Sequence, residues 1–199
     1  NMFDIYIPVF NNVFCVEYQL KTLNAFVKED NLNIFIIDNN IGRHPEATRK
    51  TKELCEKYGA IYAVNDDKVS AQIQDAMESG YANAADQHGY TLTLIYHQLA
   101  KKRKPKYFGI LDQDCFIFKP TDLKPYLDRR GAFGKVVPTH PNEKDHKIPS
   151  GDYAWNLHVV CNFFKFEFVK DLNLDFQPGK REKLGCLLYT SPSPRDSRR

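Results

Sequence analysis

The run Asn-Ile-Phe-Ile-Ile-Asp at residues 33–38 constrains this chain more than any other segment. Nearly continuous apolar character over so few residues marks a strand buried on both faces, and sheets buried on both faces are the parallel ones, covered by helices. The neighbouring segments agree. Residues 4–10 form a short β-branched and aromatic run, read as a strand whose C-terminal end is marked by Pro8. Residues 13–28 place Val13, Val16, Leu20, Leu23 and Phe26 or Val27 at spacings of three and four, which predicts an amphipathic helix. Strand, helix and strand are complete by residue 38.

The pattern then repeats. Residues 45–58 predict a second helix, with Pro45 at its start and Gly59 just past its end, and residues 60–64 a third strand. A helix is expected over residues 91–101 and a fourth apolar strand over 107–111, with strand character resuming over 115–118 until Pro120 closes it. Beyond this, the sequence predicts a helix at 121–128, strands at 132–137 and 158–164, and a polar loop at 140–152. The expected class is α/β with a mostly parallel sheet, which binds ligands at the carboxyl ends of its strands.

Composition narrows the partners. The chain has 199 residues, enough for one domain, and its net charge of 28 − 25 = +3 makes no demand for nucleic acid. No apolar run approaches the ~20 residues of a membrane helix, since the most hydrophobic stretch, 159–169, is broken by Asn162, Lys165 and Glu167. No signal peptide is visible, so the cytoplasm is the expected compartment. The five cysteines (Cys15, Cys55, Cys115, Cys161 and Cys186) are odd in number and widely spaced, and are read as reduced packing residues. From Gly185 the chain turns to Ser, Pro and Arg, so residues 185–199 are read as a non-native tail, with the natural protein continuing beyond Leu184.

Three strand ends carry polar signatures: Pro8 to Asn12, Asp38-Asn39-Asn40 and Asp112-Gln113-Asp114. They are expected to converge on one crevice. Two carboxylates separated by one residue on an extended strand point to opposite faces, so both serve one ion only where the backbone turns. Hard oxygen ligands in small number suit Mg²⁺ or Mn²⁺, which complete their shells with water and substrate phosphate oxygens. That chemistry implies a nucleotide diphosphate. Asp38 suits a ribose hydroxyl or a uracil N–H, or equally a helix cap.

The series Ile-Pro-Val-Phe-Asn-Asn, Ile-Ile-Asp-Asn-Asn and Tyr-Phe-Gly-Ile-Leu-Asp-Gln-Asp resembles the nucleotide-sugar-binding half of a GT-A glycosyltransferase, nearest to glycosyltransferase family 2, over about residues 3–120. The resemblance implies a Rossmann-like three-layer sandwich, with residues 1–120 as the donor half, 121–184 as part of the acceptor side and 185–199 as tail. It implies that Pro8, Phe10 and Asn11 line the base, that Asp38 contacts base or ribose with Asn40 beside it, and that Asp112 and Asp114 serve the ribose and a divalent cation, Mn²⁺ or Mg²⁺. In place of the Gly-containing stretch that the family sets before the next helix stands Gln87-His88-Gly89, making His88 and Gly89 donor-pocket candidates.

The activity implied is metal-dependent, inverting transfer of a sugar from a nucleotide diphosphate donor, UDP-linked, to a saccharide or lipid-linked acceptor in polysaccharide biosynthesis. Inversion needs a general base; Asp152, flanked by Tyr153 and Trp155, is the loop carboxylate with sugar-stacking neighbours, unless the base lies beyond Leu184. Two other functions compete: a phosphohydrolase with Asp112 as nucleophile, and a module that binds a nucleotide sugar without turnover. The cationic run 101–106 is read as a solvated helix terminus favoured by the helix dipole, with contact to an anionic bilayer at the inner membrane face as its alternative.

Overall fold

In the parallel strands β1 (Phe3–Val9), β2 (Leu32–Asp38) and β4 (Tyr107–Leu111), side chains alternate between two buried faces, while β3 (Ile61–Val64) lies at the sheet edge with Ile61 and Val64 exposed. Phe3, Ile5, Ile7 and Val9 of β1 meet the layer that contains α1 (Val13–Phe26) and α2 (Pro45–Tyr58). Tyr6, Phe35, Ile37, Phe108 and Ile110 meet α4 (Ala84–Leu94), which continues through a π-helical stretch, Ile95–Ala100, into a last turn, α5 (Lys101–Arg103). The computed structural model describes residues 2–40, 42–65, 68–80, 84–139 and 154–174, with Ala82 and Phe176.

The six-stranded sheet has the order β3-β2-β1-β4-β6-β5. Its β1–β2, β1–β4 and β2–β3 pairings are parallel, while β6 (Ala154–Lys165) runs antiparallel to both β4 and β5 (Ala132–Thr139). Among the described residues no helix is long and apolar enough to cross a membrane.

Local chemistry explains the elements that the sequence predicts. The Asn12 side chain accepts the Cys15 N–H at 3.3 Å and starts α1. Val16, Leu20 and Leu23, one helical stripe, are fully buried against the sheet, each worth ~1.5–3 kcal/mol. Helix α2 has the predicted bounds, and Gly59, at φ 69, ends it by donating its N–H to the Cys55 carbonyl. Pro8 sits inside β1, one residue before its end, at no cost in hydrogen bonds. The β1–β4 ladder stops at Tyr6 opposite Ile110, and the Val9 carbonyl turns to β2 to accept from Asn39, so the missing N–H of Pro8 faces the side where pairing has ended.

The departures have physical reasons. Helix α3 (Lys68–Glu78) is absent from the sequence prediction because the residues it buries are the polar Ser70 and Gln74. Helix α4 starts at Ala84, not at residue 91, because its first turns bury Gln87, Gly89 and Thr91 before the apolar stripe begins. Residues 115–118 are not a strand: the chain turns at Asp112, whose carbonyl accepts the Cys115 N–H, and makes a single bridge later, between Thr121 and Val27. Helix α6 is Lys124–Arg130 instead of 121–128, its start fixed by Glu29, whose Oε1 accepts the N–H groups of Leu123 and Lys124 at 2.6 and 3.1 Å. The described cysteines are free, with Cys55 buried and Cys15, Cys115 and Cys161 partly so. The 140–152 loop with Asp152, Tyr153 and residues 177–199, Cys186 among them, lie outside the described residues.

Candidate functional site

The carboxyl ends of β1, β2 and β4 open onto a cavity of about 600 Å³ closed on its far side by α3 and α4. This is the expected place for a ligand in a parallel α/β sheet.

The turn after β4 supplies one wall. Asp112 alternates onto the α4 side, and the turn that follows brings Gln113 and the exposed Asp114 to the same cavity, so both carboxylates line it despite their spacing. Buried Gln19 of α1 holds this turn, its Nε2 donating to the carbonyls of Asp112 and Cys115, each at 2.8 Å. Gln113 Oε1 accepts the Phe10 N–H at 2.9 Å and ties the turn to the end of β1. Phe10 is 43% exposed and meets the His44 ring edge-on at 5.3 Å.

Among the described residues, eight buried side-chain polar atoms have no hydrogen-bond partner, and five of them belong to residues lining this cavity: Gln74 Oε1, Gln87 Nε2, Gln87 Oε1, His88 Nε2 and Asp112 Oδ1. Buried polar groups are normally satisfied, so these five atoms set the wall of this cavity apart. His88 Nε2 lies 2.9 Å from Asp112 Oδ1, but off the line of a hydrogen bond, which is why both atoms still count as unpartnered.

Of the candidate residues, Pro8, Phe10, His88, Asp112 and Asp114 line the cavity, whereas Asn11, Asp38, Asn40 and Gly89 do not. Asp38 is 2% exposed and turned into the α2 layer, where Oδ1 accepts the Asn40 N–H and Oδ2 accepts the hydroxyls of Thr48 and Tyr62, at 2.7–2.8 Å. With both oxygens occupied it shapes the turn after β2. Burial, and donation to Asp38, push the Tyr62 phenol well above its ordinary pKa. Burial, with the Asp38 carboxylate nearby, pushes the Cys55 thiol up to about 11. Asn40 Oδ1 accepts the Asn11 N–H at 2.9 Å and holds that residue at φ 44, so this pair ties the two strand ends together behind the cavity. Gly89 is buried within α4, one position beyond the wall.

Sequence reasoning missed Asn39, Arg43, His44, Gln87 and all of the α3 contribution, Gln74, Met77 and Glu78. Arg43 crosses to α3 and pairs with Asp75 at 2.6 Å and with Glu78. Asn39 was in view as the middle of Asp-Asn-Asn; helical glutamines carry no signal that separates a cavity wall from a solvated face.

A divalent cation fits this wall. Among the described residues no three His, Cys, Asp or Glu side chains are grouped to hold a metal, but Mg²⁺ and Mn²⁺ are held by one or two carboxylates together with substrate phosphates. Asp112, with an unpartnered oxygen, and Asp114, exposed in the same turn, are the carboxylates of this turn that could serve so.

No protein-family profile and no curated protein sequence matches this chain. Solved structures do. The mannosyltransferase Ktr4p from S. cerevisiae aligns with TM-score 0.53 at 11% identity, covering 84% of this chain and 57% of that one. Core-mannan synthase A from Aspergillus fumigatus, in its Mn/GDP form, aligns with TM-score 0.52 at 10% identity, covering 84% of this chain and 60% of that one. This chain therefore spans less than two thirds of either neighbour. At such identities the likeness is one of fold, and the fold is the α/β, GT-A architecture of glycosyltransferases.

Proposed function

We propose that the cavity binds the nucleoside diphosphate part of a sugar donor, and that the chain is the donor half of a metal-dependent glycosyltransferase. The observation that carries this reading is the cluster of unpartnered buried polar atoms around a cavity walled by Asp112-Gln113-Asp114. The glycosyltransferase fold of the neighbours and the Mn/GDP form of the Aspergillus protein support it.

In this reading Asp114, with Asp112, would hold the divalent cation, which would supply charge neutralisation for a leaving diphosphate. Gln19 and Gln113 fix the turn that presents the two acids. Phe10 and Pro8 offer apolar surface to the nucleoside, and Asp38 acts by positioning the Asn39-Asn40 turn instead of by contact. The sequence resemblance extends the reading to family 2, to inversion with a saccharide or lipid-linked acceptor bound by residues after 120, and to polysaccharide synthesis on the cytoplasmic side of a membrane.

The test is calorimetric titration of GDP and of UDP into the protein with Mn²⁺, with Mg²⁺ and with EDTA. At least one nucleotide is expected to bind, and only with a divalent cation. A folded sample that binds neither nucleotide under any of these conditions overturns the proposal.

A further inference from the structure

The polar wall of the cavity has two parts, and they differ in chemistry. His88, Asp112 and Asp114 form the acidic part. Gln74 and Gln87 form a neutral part on α3 and α4, centred on Asn39. Gln74 Nε2 donates to the Asn39 carbonyl at 2.6 Å, Asn39 Nδ2 donates to Thr91 Oγ1 at 3.1 Å, and Thr91 Oγ1 donates to the Gln87 carbonyl at 3.0 Å. Asn39 thus holds the Gln74 amide and, through Thr91, touches only the backbone of Gln87; the two glutamines are 3% and 7% exposed.

The Asn39 contact fixes what Gln74 still has to offer. The Gln74 amide is oriented by its donation to Asn39, so its free atom is the acceptor Oε1. Gln87 keeps both amide atoms free, one acceptor and one donor, and a flip of its amide leaves that count unchanged. The two side chains therefore leave two acceptors and one donor unpartnered at the wall. The Watson–Crick edge of guanine presents the complement: N1–H and the N2 amino group as donors, O6 as acceptor. Uracil presents the opposite set, with O2 and O4 as acceptors and N3–H as its donor, which would leave one buried glutamine oxygen facing a carbonyl oxygen.

Resting on the nucleotide-binding reading above, we infer that Gln74 and Gln87 read the base of the donor and select guanine over uracil, in place of the UDP that the sequence suggests. A buried acceptor left without its donor costs about tenfold in affinity or more, so the preference is of that order. It resides in the base and is separate from the metal and diphosphate contacts of Asp112 and Asp114.

The experiment is competition calorimetry in Mn²⁺ with GDP, UDP and inosine diphosphate, which keeps N1–H and O6 and lacks only the N2 amino group. GDP is expected to bind at least about tenfold tighter than UDP, and inosine diphosphate to fall about tenfold below GDP. Gln87→Leu, checked for an unchanged thermal midpoint, is expected to bring the GDP to UDP ratio close to one while both still bind with Mn²⁺. UDP binding as tightly as GDP, or inosine diphosphate matching GDP, overturns the base assignment and leaves the nucleotide reading standing. Failure of all three diphosphates overturns both. Because inosine diphosphate changes the ligand and not the protein, the test holds even if the glutamine variant does not fold.

Discussion

Asp4 is a carboxylate without exposed surface, in the middle of the sheet. Three donors hold it: Tyr6 OH at 2.9 Å, Asn33 Nδ2 at 2.8 Å and Arg103 Nε at 2.7 Å. The Arg103 guanidinium also lies over the Phe35 ring, 4.6 Å from its centre. Arg103 belongs to the run 101–106, read from the sequence as a solvated helix terminus or a bilayer contact; only the fold shows that one of these cations reaches a buried acid. Removing it strands a charge, so Arg103→Ala is expected to lower the unfolding free energy by about 3 kcal/mol, whereas Arg49→Ala, which breaks solvent-screened pairs with Glu46 and Glu53 on an open helix face, should cost far less. Urea titration of both variants measures the contrast, and equal losses would refute it. Asp112 and Asp114 were legible because acids directly after an apolar strand have few structural reasons to be there. Gln74 and Gln87 were not, since their burial depends on helices that meet only in three dimensions.

Elements constrain one another through close approaches that single residues permit. Gly109 of β4 and Gly134 of β5 both face β6, and at each an added Cβ would collide. At Gly109 the obstacle is the Phe163 ring, at 2.6 Å, while at Gly134, just before a register shift in the β5–β6 ladder, it includes the Cys161 backbone carbonyl. A ring can rotate and a paired backbone cannot, so Gly134→Ala is expected to destabilise more than Gly109→Ala, within a range of ~1–3 kcal/mol. Thermal midpoints of the two variants check the order. The π-helical stretch is tied down by Tyr96, whose hydroxyl donates to the carbonyls of Val169 and Leu172 at 2.5 and 3.1 Å. Burial, then the Asp171 charge, pushes this phenol up to about 12. Because the folded value exceeds the unfolded value near 10, the neutral phenol's contribution is complete below pH 10 and is lost as pH rises toward 12. Urea midpoints should fall across that window, and Tyr96→Phe should flatten the fall; a slope unchanged by the substitution would contradict the assignment. The parallel strands and α1 and α2 were legible because apolar periodicity and end signals coincide in them. Helix α3 was not, because what it buries is Ser70 and Gln74, and their polarity reads as surface.

At the scale of the whole molecule, the alternation of strand and helix makes the parallel half of the sheet and the meeting of three strand ends readable from the sequence alone. Placement of β6 between β4 and β5 was not readable, since antiparallel addition at a sheet edge leaves no mark on local pattern. Convergence of β1, β2 and β4 on one cavity is what puts the Asp112-Gln113-Asp114 turn in its wall. The central claim is that this turn holds the metal-bound diphosphate of a nucleotide. The most direct measurement is the Mn²⁺-dependent titration of GDP repeated on Asp114→Ala, an exposed position whose loss leaves the core intact. The account predicts that the variant keeps the parent's thermal midpoint and loses metal-dependent binding. Binding that survives in Asp114→Ala with its Mn²⁺ dependence unchanged would contradict it.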